Sequence, residues 1–63
     1  MIQFRINERL RYAIGKKGNA KMYIGLFRGY DPENHPEAPY KIMMGKTGET
    51  FWAPEWSIAK ELI

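Results

Sequence analysis

The sequence predicts an all-β fold, a five-stranded SH3-like small barrel with a short C-terminal helix, formed by a single domain over residues 1–63. Apolar and polar residues alternate with a period of two over much of the first two thirds of the chain, which is typical of half-buried strands. Glycines lie inside and between these stretches, where a small barrel must bend and turn. The length favours the SH3-like barrel over the OB-like one, which needs longer strands and an extra helix.

The first half of the chain predicts three strands. Residues 2–6 and 9–14 alternate in polarity, so each segment is expected to be a strand with one buried face. Residues 15–19 contain two glycines and an asparagine, which suit the positive φ values of a tight turn, and they predict a hairpin to residues 21–30. This last segment is apolar on both faces and contains two glycines, as expected for a central, strongly bent strand.

The second half predicts a loop, a second hairpin and a helix. Three prolines and three acids make residues 31–39 a loop, and residues 40–44 and 49–53 are expected to pair around a glycine-containing turn. Pro54 suits the first turn of a C-terminal helix because its missing N–H costs nothing there. Apolar residues recur at near-helical spacing at Trp56, Ala59, Leu62 and Ile63.

The amino-acid composition indicates the cellular compartment in which the protein is expected. The chain has no cysteine, which agrees with a reducing cytoplasm. No apolar run approaches the roughly 20 residues of a membrane span, and the N-terminal residues lack the layout of a secretory signal. We therefore expect a cytoplasmic protein that does not associate with a membrane.

Catalysis is not expected, because the residues it needs occur only once each. Ser57 is the only serine, His35 the only histidine and Asp31 the only aspartate, and no nucleophile motif surrounds the serine. The alternation of acids and histidine over residues 31–37 resembles a metal-ligand pattern, but three prolines and ordinary turn chemistry favour a stiff loop. No catalytic residue, metal site or cofactor is predicted.

The two tryptophans, Trp52 and Trp56, admit two interpretations. Two indoles near a strand end are common on ligand-binding surfaces of small barrels. A core this small needs its largest side chains, however. We favour the interpretation that they close the open end of the barrel.

Charge is distributed unevenly along the chain. Residues 1–28 contain seven of the ten basic side chains and one acid, a net charge of +6, whereas residues 29–63 have a net charge of −3. Apolar side chains are interleaved with the basic side chains of residues 1–28. Such a segment attracts a nucleic acid through its charge and offers apolar groups to the nucleobases.

The hairpin around residues 12–28 resembles that of small crenarchaeal chromatin proteins. The residues that carry the resemblance are the run Ile24-Gly25-Leu26-Phe27-Arg28, preceded by a turn that contains lysine and glycine. That family consists of SH3-like barrels that bind duplex DNA without strong sequence preference. The resemblance implies that Tyr12, Ile14 and Met22 face the minor groove as a wedge, and that Lys16 and Lys17 contact phosphates. With the remaining bases, the predicted nucleic-acid-binding residues are Arg9, Arg11, Tyr12, Ile14, Lys16, Lys17, Lys21, Met22 and Arg28.

The chain departs from the family pattern at positions that bear on this expectation. Arg11 occupies a position where the family buries an apolar residue. Asn19 and Ala20 occupy two turn positions that are basic in the family. If Arg11 cannot be buried, the parity of the strand turns Tyr12 and Ile14 towards the core, and the wedge is lost.

The function predicted from sequence is therefore non-enzymatic binding of duplex DNA by a basic hairpin face. The alternative is a small protein-interaction module, an inhibitor or adaptor that docks on a larger protein, as phage-encoded chains of this size often do. The modest total charge of +3 and the acidic second half favour that alternative. Either function is compatible with a homo-oligomer that pairs an edge strand such as residues 1–6 with its symmetry mate.

Overall fold

The computed structural model describes residues 2–15 and 21–61 and has an all-β fold of five antiparallel strands in one sheet. The strands are β1 (Arg9–Ile14), β2 (Lys21–Tyr30), β3 (Tyr40–Met44), β4 (Thr50–Ala53) and β5 (Ile58–Lys60). Their order across the sheet is β4-β3-β2-β1-β5, so β4 and β5 are the two edges. None of the described segments forms a helix long and apolar enough to cross a membrane.

The long strand β2 joins the two halves of the sheet. Its first part, Lys21–Leu26, pairs with β1, and its second part, Gly25–Tyr30, pairs with β3. The register with β3 shifts between Phe27 and Gly29, which is the signature of a β-bulge and increases the local bend. The bulge therefore lies in the part of β2 that pairs with β3 alone, while Gly25 and Leu26 pair with both β1 and β3.

That core is small and rich in aromatic rings. Its buried members come from every strand and are Leu10, Tyr12, Phe27, Tyr40, Ile42, Ala53 and Ile58. Phe4 covers one end of the core, where its ring stacks on Phe27 with centroids 5.2 Å apart. Lys60 places its ammonium 5.5 Å from the Phe4 ring, a cation–π contact that shields this end.

The predicted N-terminal strand over residues 2–6 is wrong. Ile2 and Phe4 pack against the core, which explains the alternating pattern, but the segment has no strand partner. It ends in a tight turn in which Asn7 has a positive φ of 71° and the Glu8 amide donates to the Arg5 carbonyl at 2.9 Å. Residues 2–6 therefore do not supply the edge strand through which a homo-oligomer was expected to form.

The predicted C-terminal helix is also wrong. Residues Glu55–Ser57 form a single 3-10 turn, after which the chain extends as β5 and pairs with β1. Ser57 closes the turn, since both its amide and its hydroxyl donate to the Pro54 carbonyl, at 3.1 Å and 2.8 Å. Pairing satisfies backbone groups on the outer edge of β1, which a helix would have left open. Two of the residues read as a helical face, Leu62 and Ile63, lie outside the described residues.

The hydroxyl of Tyr40 ties three segments together beside the 3-10 turn. It accepts a hydrogen bond from the Ile2 amide at 3.1 Å and donates one to Glu55 Oε1 at 2.8 Å. The hydrogen bond from Tyr40 holds the pKa of Glu55 below its ordinary value, and burial together with the same bond raises the pKa of Tyr40.

We expect Tyr40→Phe to lower the free energy of unfolding at neutral pH by about 1 kcal/mol, because the Ile2 amide loses its acceptor. A carboxylate with a depressed pKa stabilises the fold above its unfolded-state pKa, and this contribution is lost as the pH falls through the folded-state value. The variant should therefore lose less stability than the wild type on acidification. Urea unfolding at neutral and acidic pH measures both effects.

Tyr30→Phe is the matched control, because the Tyr30 ring is 42% exposed and its hydroxyl has no hydrogen-bond partner among the described residues. Equal pH dependence of Tyr40→Phe and the wild type would contradict the role given to the Tyr40–Glu55 bond.

Candidate nucleic-acid interface

The end of the first hairpin extends beyond the rest of the sheet. β5 pairs with β1 only as far as Tyr12, and β3 pairs with β2 only as far as Gly25. Beyond these two points β1 and β2 pair only with each other among the described residues. We call this two-stranded part, residues 13–15 and 21–24, the ribbon.

Strand register divides the ribbon side chains between two faces. Paired residues of an antiparallel ladder project from the same face, and successive residues alternate. Ile14 is paired with Lys21, so both share the face of the buried Tyr12. Met22 is paired with Ala13 and therefore projects from the opposite face. Ile14 and Met22, predicted to form one surface, lie on opposite sides of the ribbon.

The ribbon is unusually apolar for a solvent-exposed segment. Four large apolar side chains of the ribbon are at least one third exposed: Ile14 (47%), Met22 (57%), Tyr23 (36%) and Ile24 (40%). Contiguous exposed apolar groups of this kind mark interaction surfaces more often than single exposed residues do. The ribbon is therefore the strongest candidate for a binding element among the described residues.

A cleft lies between the ribbon and the turn that connects β3 to β4. Its volume is about 710 Å³, and its lining residues are Tyr12, Ile14, Met22, Tyr23, Ile24, Met44, Gly45, Lys46 and Thr47. Residues from both ribbon faces reach this cleft because β2 has no partner on that side before Gly25. The lining is mostly apolar, with Lys46 at its rim.

Tyr12 forms the inner wall of this cleft and is not the exposed wedge that was predicted. Its ring is 4% exposed, stacks on Tyr23 with centroids 5.5 Å apart and meets Phe51 edge-on at 5.2 Å. Burial raises the pKa of the Tyr12 hydroxyl. Tyr12 is buried because successive strand residues project from opposite faces. Arg11 is exposed, so its neighbour Tyr12 turns inwards. Tyr12 thus supports Tyr23 and does not face a ligand directly.

Three cations surround the ribbon and have no carboxylate within ion-pair distance among residues 2–15 and 21–61. Arg11 lies on the face of Ile24, Lys21 on the face of Ile14, and Lys46 on the β3–β4 turn. All three are exposed. Cations without an internal partner are available to an anionic ligand at no cost in broken ion pairs.

Two other predicted cations are engaged elsewhere. Arg9 Nε lies 3.4 Å from Glu61 Oε2, and Arg28 donates to Asn7 Oδ1 near the opposite end of β2. They are less suited to phosphate contact than the three cations at the ribbon. Lys16 and Lys17 lie outside the described residues.

Acidic groups gather at the end of the sheet away from the ribbon. Asp31, Glu33 and Glu37 belong to the loop that leads from β2 to β3, at the ends of these strands opposite to the ribbon. The Asn34 side-chain amide and backbone amide both donate to the Asp31 carboxylate, and they hold the pKa of Asp31 below its ordinary value. Glu49, in the β3–β4 turn, lies on the ribbon side. The molecule is therefore polarised along β2 and β3.

Sequence reasoning missed three residues of this site, Tyr23, Ile24 and Lys46. Tyr23 and Ile24 belong to the segment that the sequence predicts as a central, bent strand, and its two apolar faces did not distinguish exposed from buried residues. Lys46 belongs to a second hairpin whose position is set by the bend in β2. The one local signal was its place in a turn rich in glycine.

The tryptophans and the proline loop make a separate surface. The His35 ring stacks on Trp52 with centroids 3.7 Å apart, and this contact holds the loop against β4. Trp56 is 78% exposed on the 3-10 turn, so the prediction that it closes a barrel end is wrong. Helical packing would have buried this indole, and the 3-10 turn instead directs it to solvent.

Compared with known proteins, the chain matches no family model, no curated protein and no solved structure.

Proposed function

We propose that this protein is a non-enzymatic module that binds duplex DNA with little sequence preference through the ribbon and the cations around it. The observation that carries the proposal is the combination of exposed apolar side chains with Arg11, Lys21 and Lys46, none of which has an internal ion pair among the described residues. The acidic loop lies at the other end of the molecule, where it orients the cationic end towards a polyanion.

Phosphate neutralisation supplies the affinity in this mechanism. Each cation that contacts a phosphate releases a condensed counterion, so binding weakens as salt is raised, with a slope of about −0.9 per contact on a log–log plot. Lys16 and Lys17 add two formal charges close in sequence to Lys21. The apolar ribbon residues contribute contacts to base edges and sugars, which depend little on base identity.

The proposal also covers the type of β fold and the cellular compartment of the protein. We infer an SH3-like small barrel, supported by a meander of β1 to β4 with β5 returned to β1 and by a long β2 that pairs with both β1 and β3 and carries a β-bulge. The proposed setting is the cytoplasm, in keeping with a chain without cysteine.

A protein partner is the second candidate, and the cleft is the observation that favours it. An apolar concavity of about 710 Å³ suits a protruding apolar side chain of another protein better than a phosphate backbone. Such binding would depend weakly on salt and would survive nuclease treatment. The sign and steepness of the salt dependence therefore separate the two candidates.

We expect Lys21→Glu/Lys46→Glu to weaken binding to a random-sequence duplex by at least about tenfold at low salt and to flatten the salt slope by about two. Both residues are exposed, so the fold should be unaffected. Fluorescence anisotropy of a labelled duplex over a salt series measures affinity and slope together.

Arg5→Glu is the control, because this substitution changes the net charge by the same amount per site. Arg5 is exposed and lies in the turn before β1, away from the ribbon. Equal losses in Arg5→Glu and in the single variants Lys21→Glu and Lys46→Glu would indicate a response to net charge alone. Absence of wild-type binding at low salt would refute the proposal.

A further inference from the structure

We infer that the ribbon enters the major groove of the duplex edge-on, with both of its faces against the groove walls. This inference rests on the proposed function and specifies how the same site binds. It differs from the geometry implied by the chromatin-protein resemblance, in which one face of a sheet lies on the minor groove.

The first argument is the distribution of side chains. A wedge on a minor groove requires its apolar residues to share one face, with the opposite face covered by the protein. Here Ile14 and Met22 project from opposite faces, and both are about half exposed, at 47% and 57%. A single wedge into one base step requires both residues on one face of the strand pair, and the register places them on two, although both border the cleft beside the β3–β4 turn.

The second argument is charge. Lys21 shares the face of Ile14, and Arg11 shares the face of Met22 and Ile24. Each face of the hairpin, taken as the ribbon together with the neighbouring Arg11, therefore combines a cation with apolar groups. A groove offers the same combination twice, since each of its walls consists of sugars and base edges bordered by phosphates.

The third argument is size. Packed sheets lie about 10 Å apart, which sets the thickness of a two-stranded ribbon with side chains on both faces. The major groove is about 12 Å wide and admits such a ribbon, whereas the minor groove is about 6 Å wide. Only the wider groove accepts the ribbon without being opened.

The fourth argument is access. β5 does not extend alongside the ribbon, so the β1 edge of the ribbon can approach the groove floor, whereas the β3–β4 turn lies beside its β2 edge. Across the cleft, Lys46 on the β3–β4 turn lies beside the ribbon, where a phosphate backbone bordering the groove would pass.

The test uses the full chain and two blocked duplexes. In the first, glucosylated hydroxymethylcytosines fill the major groove; in the second, an A·T-rich duplex has its minor groove saturated with distamycin. We expect the first block to weaken binding at least about tenfold and the second to leave the affinity within about twofold. Displacement by distamycin, or equal affinity for all duplexes, would overturn the inference. Absence of binding to every duplex at low salt would instead refute the proposed function.

A variant series provides an independent readout. Ile14→Thr and Met22→Thr each keep strand propensity and change an exposed side chain, so the fold is retained. Insertion predicts that both weaken DNA binding by similar factors, while Ile6→Thr, a 60% exposed control outside the ribbon, has no effect. A loss confined to one of the two ribbon variants, or absent from both, would overturn two-faced insertion.

Discussion

Ile42→Ala is expected to remove about 2–5 kcal/mol from the free energy of unfolding, the largest stability loss predicted here for a single substitution. Ile42 is fully buried in the middle of β3, where it packs against Gly25 of the bent strand. A domain of 63 residues is expected to have a total stability of about 3–9 kcal/mol. The variant should therefore be largely unfolded or unfold at low urea, as followed by tryptophan fluorescence.

The matched control is Ile6→Ala, which removes the same atoms from a side chain that is 60% exposed. Its effect should stay within about 0.5 kcal/mol. Similar urea midpoints for the two variants would mean that the core does not form as described.

The first hairpin could be predicted from sequence because its determinants are local. The alternation in β1, the glycines of the turn and the two glycines in β2 all lie within about 20 residues, and β1 and β2 form where they were predicted. The second hairpin follows for the same reason. Both depend on periodicity and turn chemistry, which a sequence displays directly.

The two ends of the chain could not be assigned in this way. Residues 2–6 alternate like a strand, and residues 54–63 have helical spacing, yet the latter segment supplies the fifth strand at Ile58–Lys60. The number of strands was predicted correctly, although one of the five was assigned to the wrong segment. Which segment pairs with the outer edge of β1 is decided by tertiary contacts such as the Tyr40–Glu55 bond, and local patterns do not encode it.

The candidate site was predicted in part. The basic hairpin could be identified from charge, but the side on which each residue lies depends on register, and a shift of one residue reverses every side chain. The exposure of Arg11 fixed that register and placed Tyr12 inside. The contribution of Lys46 depends on how far β3 extends along β2, which is a property of the folded sheet.

Gly25→Ala is expected to destabilise the protein by about 1–3 kcal/mol through overpacking at the point where β2 pairs with both β1 and β3. A Cβ at this position would lie 2.8 Å from the Met43 carbonyl oxygen, 2.9 Å from Tyr12 Cε1 and 3.0 Å from Ile42 Cγ2. The Met43 oxygen belongs to the backbone of the neighbouring strand, so relief requires the two strands to move apart.

Gly29→Ala is the matched control in the same strand, because a Cβ there would meet only Lys41 Cβ, at an ordinary 3.8 Å. Urea unfolding of both variants measures the difference, and equal midpoints would show that the stability of the fold does not depend on the close approach of the strands at Gly25.

The consequence of Gly25→Ala should reach the ribbon as well as the core. Tyr12 contacts the added methyl group and is also the ring on which Tyr23 stacks, so its displacement would shift the inner wall of the cleft. Near-ultraviolet circular dichroism should detect the change in tyrosine packing at urea concentrations where the variant is still folded. An unaltered tyrosine signal in a destabilised Gly25→Ala protein would mean that the strands separate without moving Tyr12, and that packing at Gly25 and the candidate site are mechanically independent.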